Sequence, residues 1–169
     1  MTVGSITTVS RVFGFFRDIL IAATLGASML ADVFFVAFKF PNLFRRLFAE
    51  GAFSMAFVPI FAGILEEEGR VKAKEFANQA MGILLSSLLI IVILMEISMP
   101  WVMRAFAPGF LDDPKKFDMA VEFTRITFPY ILFISLVSLL AGVLNSFGKF
   151  AAAAATPILL NVCLIGALL

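Results

Sequence analysis

The chain has 169 residues, of which 62% are hydrophobic and 15% are charged, and its formal net charge is +1. Soluble domains are roughly 45–50% apolar, so this composition excludes an ordinary soluble fold. A net charge so close to zero gives no field that would attract nucleic acid. Histidine is absent and cysteine occurs once, which excludes histidine bases, an internal disulfide and a cysteine-based metal cluster.

Long apolar runs occur at residues 81–100, 126–144 and 151–169. The first contains a single charge, Glu96, and the other two contain none. A helix that crosses a bilayer needs about 20 mostly apolar residues. Lipid also suits so many outward apolar faces better than the interior of a soluble helix bundle does, which is the alternative. We therefore predict an all-α, polytopic membrane protein.

The first two of five predicted helical segments cover residues 2–25 and 29–65. A turn at Gly26 separates them, and Ser28 is the expected N-cap of the second segment. At 1.5 Å per residue the second segment would reach roughly 55 Å, which exceeds the hydrocarbon thickness of about 30 Å. We expect it to kink or break at a proline or glycine within it, and the possible positions are Pro41, Gly51 and Pro59.

A charged loop over residues 66–75 and a polar connection over 107–118 precede the next two segments. The fourth segment is expected to bend at Pro129. The three remaining segments are predicted at 73–104, 119–146 and 151–169. The last segment is still apolar where the sequence stops, a pattern we interpret as the front portion of a longer protein.

The first segment carries three charges on one side. On a helical wheel at about 100° per residue, the polar side chains share a stripe about 120° wide that is centred on Gly14. The members of this polar stripe are Thr7, Ser10, Arg11, Arg17 and Asp18, and Phe13, Phe15 and Phe16 fall outside it. A charge at mid-bilayer costs about 2.5–3.5 kcal/mol, so the stripe is expected to face a bundle interior or a water-filled cavity.

The two arginines of the stripe, Arg11 and Arg17, suggest an anionic ligand. The planar guanidinium fork pairs with phosphate or pyrophosphate oxygens through two parallel hydrogen bonds, which a lysine cannot do. The alternative is a purely structural network in which the arginines and Asp18 lock helices together.

The second segment repeats this pattern. Asp32, Lys39 and Arg46 are spaced by seven residues and Glu50 follows Arg46 by four, so the four share one face. Arg45 adds a further cation to the segment. The alternative function of the adjacent arginines is to anchor the helix at the lipid headgroups.

These residues carry a resemblance to a known family. The motif SRVFGFFRD, followed by LGASMLADVFFVAFKFPNLFRRLFAEGAFSMAFVP, resembles the opening of the MviN/MurJ lipid II flippases. The likeness extends over essentially the whole chain and is densest from residue 10 to residue 59. The combination of motifs is specific, whereas each one alone is not.

The resemblance implies a fragment of the N-terminal lobe of a multidrug/oligosaccharidyl-lipid/polysaccharide exporter fold, which has about fourteen spans in two lobes around a cavity. It also implies a transporter in the bacterial cytoplasmic (inner) membrane that moves the polyprenyl-pyrophosphate-linked peptidoglycan precursor between leaflets. The substrate-binding residues implied are Arg11, Arg17, Asp18, Asp32, Arg45 and Arg46. Glu50 matches a position tied to gating.

Two departures from the family limit what the resemblance implies. This chain would hold only the first five spans, without the sixth span and without the second lobe and its cavity arginine. It also lacks the usual basic residue ahead of the first segment. We therefore expect the family's binding residues to have the same role in this chain. We do not expect this stretch alone to transport a substrate. The expected partners are the lipid-linked pyrophosphate, membrane lipids and the missing C-terminal lobe, with no cofactor and no metal.

Three other functions remain as alternatives. The first is another exporter of the same superfamily, with a lipid-linked oligosaccharide or polysaccharide as its substrate. A membrane-embedded enzyme acting on lipid phosphates would need a nucleophile or base and usually a metal site, and the absence of histidine argues against it. A scaffold that does not transport would have no use for a charged stripe facing a cavity. We therefore expect a transporter rather than an enzyme.

Overall fold

The structure, a computed structural model, describes residues 3–45 and 53–169. These residues form helices and short turns, without any strand. The helices are α1 (Val3–Leu25), α2 (Met29–Arg45), α3 (Phe53–Glu67), α4 (Gly69–Phe106), α5 (Pro114–Thr127), α6 (Tyr130–Ser146) and α7 (Phe150–Leu168), with a 3₁₀ turn at Pro108–Phe110.

Three helical stretches in the described residues are long and apolar enough to cross a membrane. They are Gly69–Phe106, Pro114–Ser146 and Phe150–Leu168. Helix α1 has 23 residues and is also long enough to cross, but Arg11, Arg17 and Asp18 interrupt its apolar surface. The predicted fold class, an all-α polytopic membrane protein, is confirmed.

Helix α4 begins earlier than the sequence indicated. Residues 69–75 are helical, although their charges predicted a loop over 66–75. With 38 residues, α4 is about 57 Å long, nearly twice the thickness of the hydrocarbon core. Its charged first turns therefore extend beyond the membrane, where a helix can carry charged side chains in water. Gly69 has a φ of +84°, a left-handed conformation that favours glycine and separates α3 from α4.

Helix ends follow local sequence signals. The Ser28 hydroxyl accepts a hydrogen bond from the Ala31 backbone N–H at 3.2 Å, which confirms the predicted cap of α2. At the start of α5, the Asp113 carboxylate accepts hydrogen bonds from the backbone N–H groups of Lys115 and Lys116. These contacts satisfy backbone donors that have no partner within the helix.

Most of the buried apolar side chains lie between α2, α3, α4, α5 and α6, where phenylalanine rings pack against one another. Phe40 contacts the rings of Phe106 and Phe128 at centroid distances of 5.0 and 5.6 Å. Phe57 stacks on Phe61 and Phe76 at 5.5 and 5.6 Å. We call this region, α2 to α6, the aromatic core.

Helix α1 lies outside the aromatic core and packs mainly against α7. Only Ile6 and Ile21 of α1 are buried, and Asn161 is the buried residue of α7. Helix α7 also packs on α6 and so connects α1 to the rest of the chain. Within the described ranges, the charged helix therefore packs mainly against one neighbour, and a polar side chain lies at the centre of that contact.

Candidate functional site

The polar stripe of α1 is divided between two environments. Ile6, Ser10, Gly14, Arg17 and Ile21 recur every three or four residues, which places them on one face, and none of them is exposed. This is the face that packs against α7. The other half of the stripe, formed by Thr7, Arg11 and Asp18, is exposed. One side of the stripe therefore holds α1 in place, while the other remains accessible.

Arg17 lies at the border between these two halves. Its Nε and Nη2 atoms donate hydrogen bonds to Oδ1 of Asp18 at 3.0 and 2.7 Å. Its Nη1 atom donates to Oδ1 of Asn161 in α7 at 2.8 Å. The Arg17 side chain is 21% exposed and that of Asp18 is 65% exposed. The guanidinium is thus held from two sides while part of it faces outward.

Asn161 also bonds the backbone of α1. Its Nδ2 atom donates to the Ser10 carbonyl oxygen at 3.1 Å, and the residue is 5% exposed. A Cβ atom added to Gly14 would lie 3.6 Å from this Nδ2. Position 14 therefore lies directly beside this amide, and a methyl group there would be in ordinary van der Waals contact with it.

Asp32 is paired with a residue far away in the sequence. Nζ of Lys116 lies 2.6 Å from Oδ2 of Asp32, and the two side chains are 20% and 58% exposed. The same ammonium group lies 4.4 Å from the centroid of the Phe110 ring. This pair joins the first turn of α2 to the first turn of α5, so the structure gives Asp32 a cation partner that the sequence did not indicate.

Arg45 ends α2 beside a cavity of about 640 Å³. Its Nε atom donates to Oδ1 of Asn42 at 3.2 Å, and Nδ2 of Asn42 donates to the Phe38 carbonyl oxygen at 2.8 Å. The cavity lining combines basic, amide and apolar side chains: Phe35, Phe38, Lys39, Asn42, Leu43, Arg45 and Phe106.

The predicted site residues therefore fall into separate groups in the structure. Arg17 is hydrogen-bonded to Asp18 and to Asn161 of α7, and Arg11 lies on the open side of the same stripe. Asp32 forms an ion pair with Lys116 of α5, and Arg45 is hydrogen-bonded to Asn42 within α2. The predictions for Arg46 and Glu50 lie outside the described residues. Within residues 3–45 and 53–169, no cluster of three or more histidine, cysteine, aspartate or glutamate residues could hold a metal ion.

Sequence reasoning missed Asn161 and Lys116. A signal for Asn161 was available, because a lone amide in the apolar run LLNVCLIG needs a hydrogen-bonding partner inside the membrane. Lys116 gave no such signal, because it lies in a polar connection and its partner is 84 residues away in the sequence.

Comparisons with known proteins point to one family. Residues 21–169 match the family model described as lipid II flippase MurJ. A protein of Rhizobium tropici named probable lipid II flippase MurJ is 52% identical over 169 residues, covering 99% of this chain and 32% of the relative. A protein of the same name from Rhizobium meliloti is 49% identical over 168 residues, covering 99% and 31%. The lipid II flippase MurJ of Burkholderia cenocepacia is 45% identical over 167 residues, covering 99% and 32%.

The chain spans about a third of the length of these curated relatives. The family model begins at residue 21, whereas the aligned relatives also cover the charged part of α1. The helical architecture, the apolar spans and the extent of these matches agree, and the chain belongs to the lipid II flippase MurJ family.

Proposed function

We propose that this chain forms part of the N-terminal lobe of a flippase that moves lipid II across the bacterial cytoplasmic membrane. Transport would proceed by alternating access, in which the N-terminal lobe rocks against a second lobe, and the remaining two thirds of the protein would complete the first lobe and supply the second. The protein would act as a transporter rather than an enzyme. Its substrate would be a polyprenyl pyrophosphate that carries the sugar-peptide headgroup.

The observation that carries this proposal is the partly exposed guanidinium of Arg17. Three of its five N–H donors are engaged by Asp18 and Asn161, and one donor remains on each terminal nitrogen. Two donors are the number that bidentate pairing with a phosphate needs. Arg11 is exposed on the same stripe and would supply a second cation for the doubly charged pyrophosphate.

Asp18 and the residues of α2 have supporting roles in the proposal. Asp18 would hold and partly neutralise Arg17 while the site is empty. Asp32 and Arg45, with Arg46, would contact the headgroup or its phosphates, and Glu50 would act in gating. The family relatives named as flippases support lipid II over other lipid-linked saccharides as the substrate.

The test uses a chimera in which this chain replaces the matching third of the Burkholderia cenocepacia relative. The purified chimera is reconstituted in liposomes with fluorescent lipid II, and translocation is followed by quenching of the outer-leaflet label. We expect translocation above that of protein-free liposomes, and a return to the protein-free rate for Arg17→Ala. A folded chimera that does not translocate lipid II would overturn the proposal.

Two controls sharpen this test. The 169-residue chain alone, reconstituted in the same way, should not translocate because the cavity needs two lobes. Excess unlabelled lipid-linked oligosaccharide of another type should not compete with lipid II. Effective competition would favour the broader exporter function over a dedicated lipid II flippase.

A further inference from the structure

The amide of Asn161 is buried in the middle of an apolar helix, which requires an explanation. Burying a polar group without a hydrogen-bond partner is costly. In an ordinary helix–helix contact, an apolar residue such as leucine would fill this position without that cost. Both ends of the amide are hydrogen-bonded: its oxygen accepts from Arg17 Nη1 at 2.8 Å and its nitrogen donates to the Ser10 carbonyl oxygen at 3.1 Å. Arginine can only donate and a carbonyl can only accept, so these partners fix the orientation of the amide.

We propose that Asn161 is a positioning residue that holds the Arg17 guanidinium in the orientation that receives the phosphate groups of the substrate. This inference rests on the proposed function, because it assigns a role to a residue that acts through Arg17. Asn161 itself is 5% exposed and lies behind the guanidinium, away from the open half of the stripe.

The geometry explains why two supports are needed. Asp18 bonds Nε and Nη2 through one oxygen, Oδ1, and therefore contacts one edge of the guanidinium only. Asp18 is also exposed and adjacent in sequence to Arg17, so it moves with α1. Asn161 belongs to another helix and fixes the opposite terminal nitrogen relative to α7. The two contacts together restrict rotation about the bonds of the Arg17 side chain. Less conformational entropy is therefore lost when the guanidinium binds a ligand.

The amide is also the group best suited to this position. An aspartate at position 161 would place an oxygen against the Ser10 carbonyl, where both atoms are acceptors. Its negative charge would also pair with Arg17 and reduce the attraction of the guanidinium for an anionic lipid. The amide orients the cation without neutralising it, which is what a residue behind an anion-binding arginine needs to do.

The experiment is a double-mutant cycle on lipid II affinity in the full-length chimera, held in nanodiscs. The variants are Asn161→Ala, Arg17→Ala and the double substitution, with Kd measured by titration of lipid II. We expect Asn161→Ala to raise Kd about tenfold when Arg17 is present, corresponding to the loss of one hydrogen bond to a charged group. In the Arg17→Ala background the same change should alter Kd by less than about twofold, since Asn161 then has nothing to position.

Controls separate positioning from packing. Ile21→Ala removes apolar contact on the same α1 face and should lower the thermal midpoint without changing Kd for the folded protein. Asn161→Asp should weaken binding more than Asn161→Ala, because it adds the opposing charge. It also provides a second readout if the alanine variant does not fold.

The outcomes are distinguishable. Equal effects of Asn161→Ala with and without Arg17, or no effect on Kd while Arg17→Ala weakens binding, would overturn the positioning role and leave the proposed function intact. If Arg17→Ala itself leaves Kd unchanged in a chimera that still translocates lipid II, the assigned binding residue is wrong and the positioning role fails with it.

Discussion

The α1–α7 pair and the aromatic core are held together in different ways. In the core, buried phenylalanine rings from several helices pack against one another, and Phe61 is 2% exposed. At the α1–α7 contact, two isoleucines are buried on α1, and an asparagine bonds both the backbone and an arginine. The core provides stability, whereas the α1–α7 pair keeps charged groups in a defined geometry beside an open face.

This difference agrees with the transport function proposed above. A helix buried on all sides cannot present arginines to a ligand, and an arginine stripe without a neighbour would face lipid at high cost. Packing half of the stripe against α7 supports the helix and leaves the other half accessible. The comparison predicts that substitutions in the two regions will affect different measurements.

The largest effect on stability is expected from Phe61→Ala in the aromatic core. Removing a buried phenylalanine ring costs about 3–5 kcal/mol in the free energy of unfolding, measured by denaturant titration of the full-length protein in micelles. Phe16→Ala is the matched control, because Phe16 is 56% exposed and should change stability little. The comparison fails if both substitutions destabilise the protein equally.

Arg17→Lys should instead affect function. A lysine keeps the charge but loses the fork that contacts Asp18 and Asn161 and that, in the proposed function, would also bind a phosphate. Loss of a charged hydrogen bond is worth about 1.5–3 kcal/mol, so we expect lipid II transport to fall roughly 10- to 100-fold with the thermal midpoint preserved. If Arg17→Lys in the full-length protein supports growth of a flippase-depleted strain as well as wild type does, charge alone is sufficient.

Glycine-to-alanine substitutions offer a matched pair with opposite expected signs. At Gly14 the new Cβ would lie 3.6 Å from its nearest neighbour, an ordinary contact, so the higher helix propensity of alanine should stabilise α1 by up to about 1 kcal/mol. At Gly142 it would lie 3.0 Å from Val58 Cγ2, and the crowding should cost about 1 kcal/mol or more. If the thermal midpoints of Gly14→Ala and Gly142→Ala shift in the same direction, the surroundings of the two glycines are equally tightly packed and the prediction is wrong.

The smallest effect is expected at the Asp32–Lys116 pair. Because Asp32 is 58% exposed, the ion pair should contribute at most about 1 kcal/mol to stability. A double-mutant cycle with Asp32→Asn and Lys116→Gln measures this coupling directly. A coupling energy well above about 1 kcal/mol would contradict this expectation and would show that the ion pair stabilises the fold as strongly as contacts in the aromatic core do.

Much of this organisation could be predicted from the sequence. Apolar runs predict the helical membrane class, the helical wheel places the charges of α1 on one stripe, and Ser28 marks the start of α2. These features depend on local spacing, which a sequence displays directly. The wheel could not show that α7 covers one half of the stripe, because that depends on which helix packs there.

The remaining features depend on contacts between distant residues. The bond from Asn161 to Arg17 spans 144 residues, and no local pattern of α1 indicates it. The charges at residues 66–75 predict a loop, but α4 begins at Gly69, because a helix of 38 residues can extend beyond the membrane into water. Local patterns therefore predict where the charged residues lie, but not which of them are hydrogen-bonded to residues of other helices.

The central claim is that the polar stripe of α1 has a covered half and a water-accessible half. Cysteine accessibility in membranes tests it directly, using the full-length protein in which Cys163 and every other native cysteine are replaced by serine, with single cysteines introduced at Thr7, Ser10 or Phe16. A water-soluble maleimide should label Thr7→Cys, on the open half, and should leave Ser10→Cys, against α7, and Phe16→Cys, facing lipid, unlabelled. Labelling of Phe16→Cys with protection of Thr7→Cys would contradict the account, because the charged stripe would then face away from water.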